Sequence, residues 1–309
     1  MTRTISRLVF TALTALALTS PALAQTAPTP PVGPDFSKIN VVTTDLGHRT
    51  FMLEGAGGNV TVAVGDDAVI MVDGQFAPMH DKLKAAIAAV TPNKIAYLIN
   101  THHHGDHTGG NAGFAADGAI VVGHVNERAM LAAGTTSNTT GVKVPPVEGG
   151  ALPAKTYSDA LTLEVKGRSA ALKHPANAHT GGDTYVFFAD ANVLSTGDTF
   201  TNGRYPNIDF LNGGSIKGVI AAADAYLALS NDGTKIVPGH GPLATRADLA
   251  AYRAMMAAAR ERMAALVKDG KSLDDIYAAK PFAEFDAKMK ANEQQAKAFM
   301  RVVYMTVKE

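Results

Sequence analysis

The chain has 309 residues, with 28 basic and 28 acidic side chains and a mean hydropathy of +0.03. That is enough for one large or two small domains around a buried core, and the even charge gives no sign of a basic surface for nucleic acid or an anionic membrane. Cysteine is absent, which excludes disulfides and thiolate metal ligands and leaves only nitrogen and oxygen donors.

Residues 1–24 read as a secretory signal: Arg3 and Arg7, an apolar run over 8–18, then Pro21-Ala22-Leu23-Ala24 ahead of Gln25. The run is short for a membrane span, so cleavage after Ala24, a periplasmic or secreted destination and no membrane contact after cleavage are expected. Cleavage takes away two arginines and no acid, leaving 26 basic against 28 acidic residues and a net charge near −2. Residues 25–38, which start rich in Pro and Thr, are expected to be a disordered leader.

The sequence reads as strands at 41–45, 49–54, 59–64 and 68–72, separated by turns at Gly55-Ala56-Gly57-Gly58 and Gly65-Asp66-Asp67. A helix over 79–90 and a strand ending at Asn100 follow. Next come a short helix over 111–115, a strand over 120–123 and a helix over 125–133. The Gly-, Thr- and Pro-rich stretch 134–152 breaks this rhythm and is expected to be an active-site flap. A second β-rich block is predicted at 161–165, 169–173, 185–188 and 193–195. A helix over 215–229, a strand over 235–237 and a helix over 246–268 complete the pattern. Two β-then-α halves predict an α/β fold of two packed sheets with helices outside. The C-terminal helices, with Met255, Met256 and Met263 facing inward, are expected to cover it.

Directly after the strand that ends at Asn100, the run Thr101-His102-His103-His104-Gly105-Asp106-His107 packs four histidines and a carboxylate into seven residues. Imidazole nitrogen and carboxylate oxygen suit zinc and its neighbours. In extended chain His102 and His104 share one side and His103 points away, while a turn at Gly105 lets Asp106 and His107 face a second ion. Three more donors sit where a strand gives way to a loop: His179 in Ala178-His179-Thr180-Gly181-Gly182-Asp183, Asp198 in Thr196-Gly197-Asp198-Thr199, and His240 in Pro238-Gly239-His240-Gly241. Such positions line a shared crevice in layered α/β folds. His174 competes with His179 for the ligand role, while His48, His80 and His124 carry no motif. Arg204, Tyr205, Asn207 and Asn212 follow Asp198 on a polar loop and are candidate substrate contacts.

In order and spacing these motifs resemble the metallo-β-lactamase superfamily over about residues 39–248, with 249–309 as C-terminal helices packed on that domain. The resemblance implies an αββα sandwich with two metal ions at one edge. His102, His104 and His179 would hold the first ion, Asp106, His107 and His240 the second, and Asp198 would bridge them. Asp73, in Val72-Asp73-Gly74, matches the aspartate that orients the histidine run. Zinc is preferred, with iron and manganese as alternatives. Two divalent ions against two carboxylates leave a positive site that welcomes hydroxide and an anionic group. The implied chemistry is attack of metal-activated hydroxide on a carbonyl, with Asp106 orienting the nucleophile and returning a proton to the leaving atom.

Departures narrow the substrate, a small molecule. The familiar periplasmic β-lactamases of the family carry a cysteine where this chain has Asp198, and a lysine three residues later, where it has Thr201. The His/Asp set with a bridging aspartate is more similar to the lactonases and glyoxalase II thioesterases. The leading expectation is a periplasmic hydrolase of a cyclic ester or amide. The alternatives are a glyoxalase II-type thioesterase, a mononuclear iron oxygenase and a non-catalytic metal-binding protein.

Overall fold

Four antiparallel strands open the described part of the chain, residues 34–308 of a computed structural model: β1 (Val42–Gly47), β2 (Thr50–Glu54), β3 (Val60–Val64) and β4 (Ala68–Val72). Helix α1 (His80–Val90) leads to β5 (Lys94–Ile99), parallel to β4. Then come α2 (Gly105–Thr108), α3 (Asn111–Ala116), β6 (Ile120–His124), α4 (Val125–Ala133), the small hairpin β7 (Thr135–Thr136) and β8 (Lys143–Val144), and β9 (Lys155–Tyr157). The first sheet has the order β1-β2-β3-β4-β5-β6-β9. The second, β10-β11-β12-β13-β14, consists of β10 (Ala160–Val165), β11 (Arg168–Lys173), β12 (Tyr185–Phe188), β13 (Val193–Ser195) and β14 (Lys235–Val237). Helix α5 (Ile216–Leu229) precedes β14, and α6 (Arg246–Lys268), α7 (Leu273–Ala279), α8 (Ala283–Met289) and α9 (Glu293–Val307) follow it.

The period-2 alternation of side chains divides the core into layers. In β4, Ile70 and Val72 face the second sheet and meet Leu172, Val186 and Val237, while Val69 and Met71 face outward with Leu83 of α1 and Phe114 of α3. On the far side of the second sheet, Leu194 and Ile236 pack against Val219, Tyr226, Met256 and Phe299 from α5, α6 and α9. This is the αββα sandwich, and the C-terminal helices share its core, with Met255, Met256 and Met263 all buried.

The flap expectation for 134–152 needs refinement, because the stretch contains the β7–β8 hairpin and a 3-10 turn at Gly149–Ala151. The expected leader to residue 38 is corrected at its end. Phe36–Lys38 form a 3-10 turn capped by Asp35, and Lys82 Nζ donates to the carbonyls of Phe36, Ser37 and Ile39 at 2.7, 3.0 and 2.6 Å. The expected signal at 1–24 and leader residues 25–33 lie outside the described residues. Among the described residues no helix is long and apolar enough to cross a membrane.

Candidate metal centre

Parallel pairing aligns the strand ends that carry the chemistry. β4 and β5 finish together at Val72 and Ile99, so Asp73 and the histidine run leave one edge of the first sheet. β13 and β14 finish together at Ser195 and Val237, so Asp198 and His240 leave the facing edge of the second. Asn59 pins the His240 turn by donating from Nδ2 to the carbonyls of Pro238 and Gly241 at 2.9 and 2.8 Å. Gly58 must lack a side chain, since a Cβ there would stand 2.1 Å from His107 Cε1.

All seven expected ligands converge in two groups. Donor atoms of His102, His104, His179 and Asp198 lie within 4.8 Å of one another, as do those of Asp106, His107 and His240. Asp198 faces both groups. Its Oδ2 is 3.8 Å from His179 Nε2, and its Oδ1 is 3.2 Å from His107 Nε2 and 3.5 Å from His240 Nε2. Asp106 Oδ2 is 3.1 Å from His240 Nε2, and its side chain keeps 26% of its surface, against 8% for Asp198.

Partners behind the rings set which nitrogen faces inward. Asp73, buried and at φ 63°, accepts the Thr101 N–H at 2.8 Å, the Thr101 hydroxyl at 2.8 Å and His107 Nδ1–H at 2.7 Å. With its proton on Asp73, the Thr101 hydroxyl can accept from His102 Nδ1 at 3.1 Å, which leaves His102 Nε2 buried and without a partner. His104 donates Nε2–H to Asp209 at 2.9 Å and turns Nδ1 to within 3.1 Å of His179 Nε2. Asp183 closes the His179 turn by accepting the backbone N–H of His179 and Thr180 and the Thr180 hydroxyl.

Charge follows from this packing. Burial, then the neighbouring His107, His179 and His104, push His102 well below the usual histidine range, and burial pushes His179 down to about 4. Burial opposes the charged form of His107, yet Asp73, Asp106 and Asp198 together hold it well above that range. Burial likewise disfavours the Asp198 carboxylate, and His240 and His107 outweigh it. The neutral imidazoles of His102 and His179 and the carboxylates of Asp106 and Asp198 are the forms that bind metal. The all-N,O donor set and the orphaned His102 Nε2 fit a transition-metal site.

His103 is buried and neither ring nitrogen has a hydrogen-bond partner; its Nε2 stands 3.9 Å from Asp209 Oδ2, and His103, His104 and Asp209 form a third group of donor atoms within 4.8 Å of one another. His174 is not a ligand candidate: its Nδ1 donates to the Asp183 carbonyl at 2.7 Å and its ring stacks on His124 at 3.8 Å. Tyr205, expected to contact substrate, is committed elsewhere. Its hydroxyl donates to Asp286 at 2.7 Å and its ring stacks on Phe299 at 4.1 Å. Asn212 braces the flap and the site, donating to the Thr136 carbonyl at 3.0 Å and to Asp209 at 2.7 Å. Asn207 Oδ1 accepts the Thr139 hydroxyl at 3.3 Å, and Arg204 stays exposed.

Asp209 is the functional residue that the sequence reading missed. It sits between Ile208 and Phe210 with no motif around it, and only the fold brings its carboxylate behind His104. Asp209→Ala is expected to weaken metal binding about 10- to 100-fold, as for other groups that orient a ligating histidine. Asp209→Asn, which still accepts from His104 Nε2, should fall between, as measured by competition with a chromogenic chelator. Equal affinity in all three proteins would remove Asp209 from the site.

Residues 53–240 match the family profile of the metallo-beta-lactamase superfamily, and the chain belongs to that family. Among its relatives are a 2,4-dinitroanisole O-demethylase subunit alpha from Nocardioides sp., 30% identical over 54% of this chain and 46% of the relative, and a hydroxyacylglutathione hydrolase from Polaromonas sp., 27% identical over 53% and 55%. The chain spans about half the length of these curated relatives. Similar solved structures include a metallo-beta-lactamase from Pontibacter korlensis (TM-score 0.57, 15% identity, 70% of this chain and 99% of that one). A stereoselective inverting sec-alkylsulfatase from Pseudomonas sp. is similar too (TM-score 0.62, 16% identity, 86% and 50%).

Proposed function

We propose that this protein is a hydrolase with two metal ions, zinc by donor chemistry, that opens a cyclic ester or amide in the periplasm. The observation that carries the reading is Asp198, one carboxylate with an oxygen turned to each ligand group. Bound there, such ions lower the pKa of coordinated water to about 7 and polarise a carbonyl. The chain's own residues do the rest. His102, His104 and His179 present nitrogens from one side, and Asp106, His107 and His240 close the other. Asp73 and Asp209 hold the rings in register from behind. Asp106 is the proton carrier: its side chain keeps 26% of its surface and its Oδ2 lies 3.1 Å from His240 Nε2 at the more open side of the site. Export rests on the signal-like pattern of residues 1–24.

A thioester is the second reading, favoured by the similarity to hydroxyacylglutathione hydrolases. A panel of an acyl lactone, a chromogenic cephalosporin, a glutathione thioester and an aryl phosphodiester, run on the metal-loaded protein, separates the two. Lactone turnover at least about tenfold above the thioester in kcat/KM supports the first, and the reverse order supports the second. No turnover of any of the four overturns both.

A further inference from the structure

The two ligand groups are braced from different quarters. Asp73 and Asn59, both on loops of the first sheet, hold His107 and the His240 turn. His104 and His179 are held by the segment 207–212. Asp209 accepts from His104 Nε2 at 2.9 Å, its backbone N–H donates to the His179 carbonyl at 2.8 Å, and the Asn212 carbonyl accepts the Gly181 N–H at 2.8 Å.

That segment is supported in turn by the β7–β8 hairpin. Strands of two residues do not hold a hairpin in place by themselves, so its position is set by what it bonds to. Of residues 135–144 Asn138 alone is buried, so the inward contact of the hairpin is an amide rather than an apolar side chain. Asn138 Nδ2 donates to the Ile208 carbonyl at 2.8 Å, at the peptide that leads into Asp209, and Asn212 Nδ2 donates to the Thr136 carbonyl at 3.0 Å. From α9, Arg301 donates to the Asn138 carbonyl at 3.1 Å, with its guanidinium 5.4 Å from the centre of the Phe210 ring. Contacts therefore run without a break from Arg301 through Asn138, Ile208 and Asp209 to His104. Among the described residues no hydrogen bond runs from the hairpin to Asp106, His107 or His240.

We propose that the β7–β8 hairpin clamps the first ion's ligands alone, and that Asn138 is the positioning residue through which the hairpin and α9 fix Asp209, and so His104 and His179. The contrast between the two ions rests on the two-metal reading, while the hold on His104 does not.

The test is stepwise zinc competition with a chromogenic chelator on the full chain, in the wild type, Asn138→Ala, Asn138→Asp and Arg301→Met. Asn138→Asp keeps the size and loses the donor to Ile208, and Arg301 is exposed, so its replacement leaves the core untouched. Each Asn138 variant is expected to bind one ion about tenfold more weakly, the low end for groups behind a ligating histidine, and the other within about twofold. Arg301→Met should cost that same ion about threefold, one hydrogen bond's worth. Trypsin should cut after the exposed Lys143 faster in all three variants. Added to Asp209→Ala, Asn138→Ala should weaken the ion by less than about a further twofold, because the two residues act along one path. Unchanged affinities, an equal loss at both ions, or full additivity with Asp209→Ala overturns the clamp. A wild type that binds a single ion, weakened in the same variants, keeps the clamp and removes only the pair.

Discussion

Replacing Asp198 by alanine is expected to cut kcat/KM on the order of a thousandfold and to lower the metal content from about two ions per chain to about one. The reason is the position of the carboxylate. It is buried at the seam of the two sheets, with Oδ1 3.2 Å from His107 Nε2 and Oδ2 3.8 Å from His179 Nε2. Without it, Asp106 is the one carboxylate left among the seven ligands, nothing negative faces His102, His104 and His179, and one ion loses its hold. Asp198→Asn keeps the shape and one acceptor oxygen but not the charge, and should give nearly the same loss. Both variants should keep the wild-type circular dichroism, because the frame is set by the apolar layers around Val186, Val193 and Val237. Metal content by mass spectrometry and kinetics on the same sample check this, and unchanged values in both would take Asp198 out of the centre.

Asp73→Ala should have the second largest effect, and through stability as well as metal. Three donors end on this one buried carboxylate, and alanine strands the Thr101 N–H, the Thr101 hydroxyl and His107 Nδ1–H in the interior. At about 1–3 kcal/mol for each unsatisfied buried group, a total loss of several kcal/mol is expected. His107 loses its fixed orientation directly, and His102 loses its own through Thr101, so metal affinity should fall about 10- to 100-fold. Asp73→Asn isolates the second effect. Its amide still accepts from Thr101 but presents N–H to His107 Nδ1, which favours the wrong tautomer. A denaturation midpoint close to wild type, with weakened metal binding, is expected for this variant. Wild-type affinity would show that the tautomer of His107 is not set from Asp73.

What the sequence made legible follows from how far apart the determinants lie. The histidine run, the His179 turn, the Asp198 turn and the His240 turn are local patterns at strand ends, which brought the donors into view, and the resemblance to the metallo-β-lactamase superfamily implied their division between two ions. Two β-rich blocks, each followed by helices, were enough to suggest two packed sheets. The misses come from partners distant in sequence. Tyr205 looked like a polar loop residue because nothing near it shows that α8 and α9 fold back to supply Asp286 and Phe299, the former 81 residues away. Asp209 acts on a histidine 105 residues earlier. The β7–β8 strands have two residues each and β9 has three, too few for a period to register.

The central claim is a pair of ions that share Asp198. A crystal of the zinc-loaded protein, measured on both sides of the zinc edge, tests it most directly. The expected result is two anomalous peaks about 3.5–4 Å apart, one against His102, His104 and His179, one against Asp106, His107 and His240, with Asp198 touching both. A single peak, or two peaks with Asp198 on neither or only one, would contradict it.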